Sequence, residues 1–246
     1  MGNNNSQPDL KIEKKEEVFE KKEEVNAMGS IKCELFQDFT PTQCQVYSYE
    51  ENNIWSVSNL LSAEECQELI SQSESFGFVD ALLSVGTRQI MRKDVRDNKR
   101  VIWDDIAFAS QLYERVKHFV PEDCTIIEPV RGKDFKVSGC NERLRFYRYE
   151  AEERFRPHLD GCFSKKTETT QETSFLTCIV YLNDVNDGGE TNFFKGIEVN
   201  YAVKPTLGSC LFFRHAGNLH EGAAISKDST EKKYVLRTDI MYKKNL

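Results

Sequence analysis

RLRFYRYEAEERFRPHLDG, residues 143–161, carries the two patterns that decide how this chain folds. Its first half alternates. Leu144, Phe146 and Arg148 share one face of an extended segment, and Arg143, Arg145, Tyr147 and Tyr149 share the other, because successive side chains of a strand point to opposite sides. Its second half ends in His158-Leu159-Asp160. Read as a strand end, RFRPHLDG turns His158 and Asp160 the same way, with Leu159 facing the opposite layer.

The strand pattern runs on to the C-terminus. SFLTCIVYL (174–182) is apolar on both faces and reads as a central strand. DVNDGGE (184–190) is a glycine-containing turn. TNFFKGIEVNYAVKP (191–205), GSCLFFRHAG (208–217) and KYVLRTDIMY (233–242) are three more strand-rich blocks. Upstream, NIWSVSNLLSAEECQELISQSESFGF (53–78) reads as a short strand running into a helix. Ser62 and Glu65 form a capping box there, and Gly77 suits the far end. VGTRQIMRKDVRDNKRVIW (85–103) reads as a polar loop. A second helix is expected over roughly 104–120, with Asp104 or Asp105 at its cap and Pro121 just beyond its end. Two helices followed by seven or eight strands predict a mainly β domain with the helices packed outside.

Composition narrows the function classes. The chain has 246 residues and a net charge of −7, which argues against nucleic acid as the main partner, and no basic, aromatic-interleaved stretch opposes that. No apolar run approaches the ~18 residues that span a membrane, and the polar N-terminus lacks a secretory leader. None of the eight cysteines sits in a C-x-x-C pair. Reduced thiols in the cytoplasm are therefore expected, with Cys178 and Cys210 as small buried hydrophobes.

Residues 1–30 differ from the rest: a polar start, MGNNNSQPDL, leads into the Lys/Glu run KIEKKEEVFEKKEEV. Such a segment cannot bury a core and is expected to be a mobile charged tail. Gly2 and Ser6 fit an N-myristoylation pattern. A single acyl chain without a polybasic patch gives only weak, reversible membrane association. The expected division is thus a tail (1–30), a transition segment (31–53) and a folded domain (54–246).

The chemistry sits in His158, Asp160 and a histidine some sixty residues later, His220. Two imidazoles and one carboxylate are the ligand set of the facial triad that holds a non-heme Fe(II) and leaves its other positions open. A distant strand must bring His220 back, as barrels and jelly rolls do. Lys233 and Arg237, four residues apart on one strand face, are cations placed to meet the far carboxylate of an organic acid chelating that iron.

Three ordered blocks, RFYRYEAEERFRPHLDG, TCIVYLNDVNDGGETNFF and FFRHAGNLHEG, resemble the catalytic domain of the prolyl 4-hydroxylase-like 2-oxoglutarate/Fe(II) dioxygenases over about residues 54–243. The resemblance implies a double-stranded β-helix, a jelly-roll or cupin-like core, with flanking N-terminal helices. It implies His158, Asp160 and His220 as catalytic iron ligands, with His220 preferred to His215, because HEG fits the family pattern. His215 and His118 are then structural. It implies Lys233 as the 2-oxoglutarate anchor, with Arg237 as the competing cation, and Tyr149 and Thr191 beside the cosubstrate. Strand alternation adds Arg145 and Tyr147 to that cavity. Lys233 stands three residues later than usual, and EAEERF replaces a turn that often carries glycine.

The implied cofactors are Fe(II), 2-oxoglutarate and O₂, with ascorbate to rescue uncoupled iron. The implied reaction couples decarboxylation of 2-oxoglutarate to succinate with hydroxylation of a C–H bond, a prolyl residue of a protein being one candidate. Partners are then a protein, peptide or small-molecule substrate. The segments around Arg96, Asn98 and Arg100 and at 164–173 are candidate lid loops. The competing readings are a catalytically silent binding module on the same fold and an adaptor tethered by its tail.

Overall fold

The computed structural model describes residues 30–31, 39–85 and 88–246. The charged tail and Gly2 lie outside them. In chain order the elements are β1 (Val46–Glu50), β2 (Ile54–Val57), α1 (Ala63–Phe76), β3 (Val79–Asp80), β4 (Leu83–Val85), β5 (Arg88–Ile90), β6 (Lys99–Asp104) and α2 (Ile106–Val116). There follow β7 (Lys136–Cys140), β8 (Arg143–Tyr149), β9 (Phe155–His158), β10 (Ser164–Lys166), β11 (Thr170–Tyr181) and β12 (Thr191–Lys195). The last four are β13 (Glu198–Val203), β14 (Cys210–Arg214), β15 (His220–Gly222) and β16 (Lys233–Asn245).

Pairing between strands distant in sequence makes a large sheet in the order β1-β2-β14-β11-β16-β8-β6-β3, with β10 added to β11 and β7 to β16. A smaller sheet, β13-β12-β15-β9, faces it, and the two layers are those of a jelly roll. Their alternation splits the core. Leu144, Phe146, Val180, Phe212 and Leu236 point to one face of the large sheet and pack with Leu69, Phe108 and Leu112 of the helices. Tyr147, Tyr149, Tyr181, Leu211, Phe213 and Val235 point to the other and pack with Phe193 and Val203 of the small sheet. Burial of a single leucine such as Leu69 contributes roughly 1.5–3 kcal/mol.

The helices form where their end signals place them. Ser62 Oγ accepts from Glu65 N at 3.2 Å, and Ser62 N donates to Glu65 Oε2 at 2.8 Å, so the capping box is complete. Gly77 ends α1 at φ 79°, a conformation that costs a side-chain-bearing residue dearly. Asp105, not Asp104, caps α2 by accepting from Phe108 N at 2.9 Å. α2 stops at Val116 instead of continuing to 120, because the chain there tightens into a turn closed by Phe119 N on Val116 O.

Much of each candidate lid is sheet. Lys99–Asp104 is β6, an inner strand between β8 and β3. Its polarity misleads because Val101 and Trp103 face the helix-side core, whereas Arg100 faces the site as Tyr147's register partner. Residues 164–173 are the β10–β11 hairpin, registered Ser164↔Thr173.

Candidate active site

The two sheets meet at His158, Asp160 and His220. His158 closes β9 and His220 opens β15, and the two are register partners, with ring centroids 4.3 Å apart. His158 Nδ1 lies 2.8 Å from Arg156 O and His220 Nδ1 lies 2.9 Å from Asn218 O. An imidazole beside a carbonyl donates its proton there, so each Nε2 is left as a lone pair aimed at Asp160. Those nitrogens stand 3.8 and 3.7 Å from Asp160 oxygens. All three ligand atoms lie within 4.8 Å of one another, a group that can hold a metal ion. Leu159 does not enter the opposite layer: it is 59 % exposed, since the chain leaves β9 at His158.

The large sheet holds the carboxylate. Thr177 Oγ1 donates to Asp160 Oδ2 at 2.6 Å, and Arg237 Nη1 is 3.0 Å from Asp160 Oδ1. Burial alone pushes the Asp160 carboxyl up, but Arg237, followed by the two histidines, outweighs it and keeps the group well below the usual range. Burial pulls His158 down to about 3, helped by His220. His220 is also lowered, by burial. Neutral imidazoles with an ionised carboxylate are the protonation states that metal ligation requires.

Lys233 begins β16 and is 2 % exposed. Its Nζ donates to Gly189 O at 2.6 Å and lies 5.1 and 5.6 Å from the ring centroids of Tyr149 and Tyr181. Tyr181 Oη is 2.7 Å from Thr191 Oγ1. Among the described residues no carboxylate pairs with Lys233, and burial lowers its amine to about 7. Glu190 opposes that shift without contacting the amine, and a buried ammonium with no carboxylate in contact is a receptor for an anion.

The six residues expected beside a cosubstrate separate into two groups. Lys233, Tyr149 and Thr191 surround the pocket just described, Tyr149 facing Lys233 in register. Arg145, Tyr147 and Arg237 lie further along the same face, towards Asp160 and Asp239. Arg237 pairs with Asp239 at 3.3 Å, and Arg145 approaches it at 3.7 Å. His215 stands outside the triad, 3.5 Å from Asp239. Burial lowers His215, yet Asp239 and Cys162 overcome that and raise it to about 9.

Three residues at the site escape the sequence reading: Thr177, Tyr181 and Asp239. Thr177 and Tyr181 had a legible signal, as polar side chains two turns of the pleat apart within the apolar strand SFLTCIVYL. Arg96, expected only as part of a lid loop, is buried and bridges to Phe155.

Comparison with known proteins agrees with this geometry. Residues 144–238 match the model of the 2OG-Fe(II) oxygenase superfamily. The probable prolyl 4-hydroxylase 8 of Arabidopsis thaliana is 27 % identical over 135 residues, 55 % of this chain and 42 % of that protein. The probable prolyl 4-hydroxylase 3 of the same plant is 24 % identical over 172 residues, 63 % of this chain and 55 % of that one. The chain thus spans about half the length of these relatives. The viral collagen prolyl hydroxylase of Paramecium Bursaria Chlorella virus-1, solved with 2-oxoglutarate, superposes with a TM-score of 0.51 at 16 % identity, covering 77 % of this chain and 96 % of that one. A Pseudomonas putida prolyl-4-hydroxylase gives 0.53 at 15 %, covering 76 % and 92 %. A Trichoplax adhaerens prolyl hydroxylase, solved with a hypoxia inducible factor peptide fragment, gives 0.53 at 16 %, covering 77 % and 83 %. The fold is that of these prolyl hydroxylases, and the segment that matches the 2OG-Fe(II) oxygenase model contains His158, Asp160 and His220.

Proposed function

We propose that this chain is an Fe(II)- and 2-oxoglutarate-dependent dioxygenase that hydroxylates a C–H bond of an amino-acid residue in a protein or peptide, with prolyl as the first candidate. The observation that carries the reading is a buried cation with no carboxylate in contact, Lys233 of the large sheet, together with the His158–Asp160–His220 group at the junction of the two sheets. The donor set fits iron: two imidazole nitrogens and a carboxylate on one side of a point in space. The pocket fits 2-oxoglutarate: Lys233 lacks a carboxylate partner, and Tyr149, Tyr181 and Thr191 supply an aromatic wall and hydroxyls beside it.

When bound, iron with 2-oxoglutarate and O₂ supplies the oxidising power, one oxygen atom ending in succinate as CO₂ leaves and the other in the hydroxylated product. The protein's share is positional. His158 and His220 are locked in the tautomer that presents Nε2 by the carbonyls of Arg156 and Asn218. Thr177 and Arg237 hold the Asp160 carboxylate against rotation. Lys233 fixes the far end of the cosubstrate, and the Tyr149 and Tyr181 rings exclude water from that ion pair, which strengthens it.

A protein substrate is favoured over a small molecule by the likeness to prolyl hydroxylases, one of them solved with a peptide. Release of succinate from 2-oxoglutarate with added Fe(II), together with a mass gain of one oxygen atom on a peptide substrate, tests the reading. Wild type and His158→Ala alike releasing no succinate would sink it and leave the silent binding module.

A further inference from the structure

The inner face beyond Asp160 gathers Arg96, Arg145 and Arg237 around two carboxylates, Asp160 and Asp239. Arg145 faces Arg237 across β8 and β16, and Arg100 faces Tyr147 across β6 and β8. Arg96 lays its guanidinium 4.7 Å from the Tyr147 ring centroid and 4.4 Å from that of Phe155. Phe155 in turn stacks on His158 at 3.6 Å, so Arg96 is one ring removed from the triad. The Tyr147 phenol registers the cluster: burial pushes it up, yet Arg96, Arg237, Arg145 and Arg100 together bring it down to about 8. Asp160 and Asp239 are the acids that pair with Arg237 and Arg145. Asp97, also near, is occupied by the backbone N–H of Arg154 at 2.6 Å.

Three nitrogens of this cluster are buried and make no hydrogen bond: Arg96 Nη2, Arg145 Nη1 and Arg237 Nε. Arg145 Nη1 reaches only to Asp239, 3.7 Å away. Arg96 is 5 % exposed, its Nε donates to Asn98 Oδ1 at 2.8 Å, and among the described residues no carboxylate pairs with it. Unsatisfied donors at such depth cost free energy unless something else accepts from them. Buried cations in excess of anions cost more. Lys233 already provides for one carboxylate at the opposite end of the face, which leaves Arg96, and the edges of Arg145 and Arg237 that Asp160 and Asp239 do not engage, for a different anion.

We infer that Arg96, Arg145 and Arg237 form a second anion subsite, which takes a carboxylate or phosphate group of the peptide substrate beside the C–H bond that reacts. The inference rests on the oxygenase reading above. A planar guanidinium grips either oxyanion through two parallel N–H donors. The Phe155 and Tyr147 rings hold Arg96 in place and limit the water competing for it.

The test uses the full chain loaded with Mn(II), which is redox-inert in this setting, and saturated with 2-oxoglutarate. Four blocked nonapeptide libraries are compared by equilibrium dialysis, random except for a central glutamate, phosphoserine, glutamine or serine. One acidic library is expected to be retained over its neutral counterpart by about tenfold or more, and Arg96→Gln and Arg145→Gln each to remove most of that excess. The glutamate and phosphoserine arms distinguish the two sources of the anion. Arg145 is partly exposed, so its variant decides the matter if Arg96→Gln does not fold, and Arg145→Lys is expected to restore part of the preference. Equal retention of acidic and neutral libraries, or an acidic preference untouched by both substitutions, overturns the inference. Its failure is separable from failure of the oxygenase reading, which would instead show as no Mn(II)-dependent binding of 2-oxoglutarate in the same samples.

Discussion

Arg237 Nη1 stands 3.0 Å from Asp160 Oδ1, and this ion pair joins the central strand of the large sheet to the segment that follows β9 in the small one. It draws one carboxylate oxygen towards the sheet, while Thr177 takes the other. The acid is therefore oriented before any metal arrives. It is also partly neutralised, and the two effects act in opposite directions on a divalent cation.

Orientation is expected to win. Arg237→Gln should weaken Co(II) or Mn(II) binding by about tenfold, the usual scale for removing a group that positions a metal ligand. Isothermal titration checks this. Tighter binding in the variant would mean that the guanidinium acts chiefly as a competing cation.

Lys233 makes the cosubstrate step pH-dependent. Its folded value is depressed to about 7 from an ordinary 10.5. Between those values the unfolded chain binds a proton that the folded, ligand-free chain has lost. The ligand-free protein should therefore gain stability as pH rises from about 7 towards 10.5. Binding a carboxylate requires the charged amine, so affinity for 2-oxoglutarate should fall over the same range, approaching about tenfold per pH unit. Opposite slopes in thermal melts and in 2-oxoglutarate titrations would show the linkage; parallel slopes would refute it.

Replacing the same lysine should separate stability from function. Lys233→Met removes a buried amine that no carboxylate contacts among the described residues. It should raise the melting temperature of the ligand-free protein at pH 6 while raising the KM for 2-oxoglutarate about tenfold or more. A variant that melts lower and keeps its KM would place the anchor elsewhere.

The helical layer depends on a buried ion pair. Arg115 grips Glu65 with Nη2 at 2.6 Å and Nη1 at 2.7 Å, and Nη1 also donates to Leu60 O. Glu65 belongs at once to the α1 capping box and to this link with α2. Glu65→Ala strips a buried arginine of its partner and should cost about 3–5 kcal/mol in urea denaturation. A loss below about 1 kcal/mol would mean that water compensates the arginine.

Strand alternation was the most legible part of this chain. Leu144 and Phe146 against Tyr147 and Tyr149 could be assigned to two faces from RLRFYRY alone, because a period of two leaves no other arrangement in a strand. The capping box at Ser62 was equally local. β6 was not legible, since an inner strand that turns Arg100 towards a polar cleft shows the composition of a loop. The 164–173 hairpin failed for a similar reason: Lys165 and Glu172, directly paired across β10 and β11, look like solvent-exposed charge until their partner strand is known.

By itself the sequence singled out the candidate ligands and the cations that could serve them: His158, Asp160, His220, Lys233 and Arg237. Local chemistry and spacing suffice for that. Only the tertiary structure decided their roles. Register between β9 and β15 set His158 against His220, and the path of β16 put Arg237 on Asp160 while leaving Lys233 buried with no carboxylate in contact among the described residues. The packing of residues 94–98 along β9 brought in Arg96. Such relations depend on which distant strands become neighbours, and pairing between strands is a property of the whole sheet that no single segment encodes.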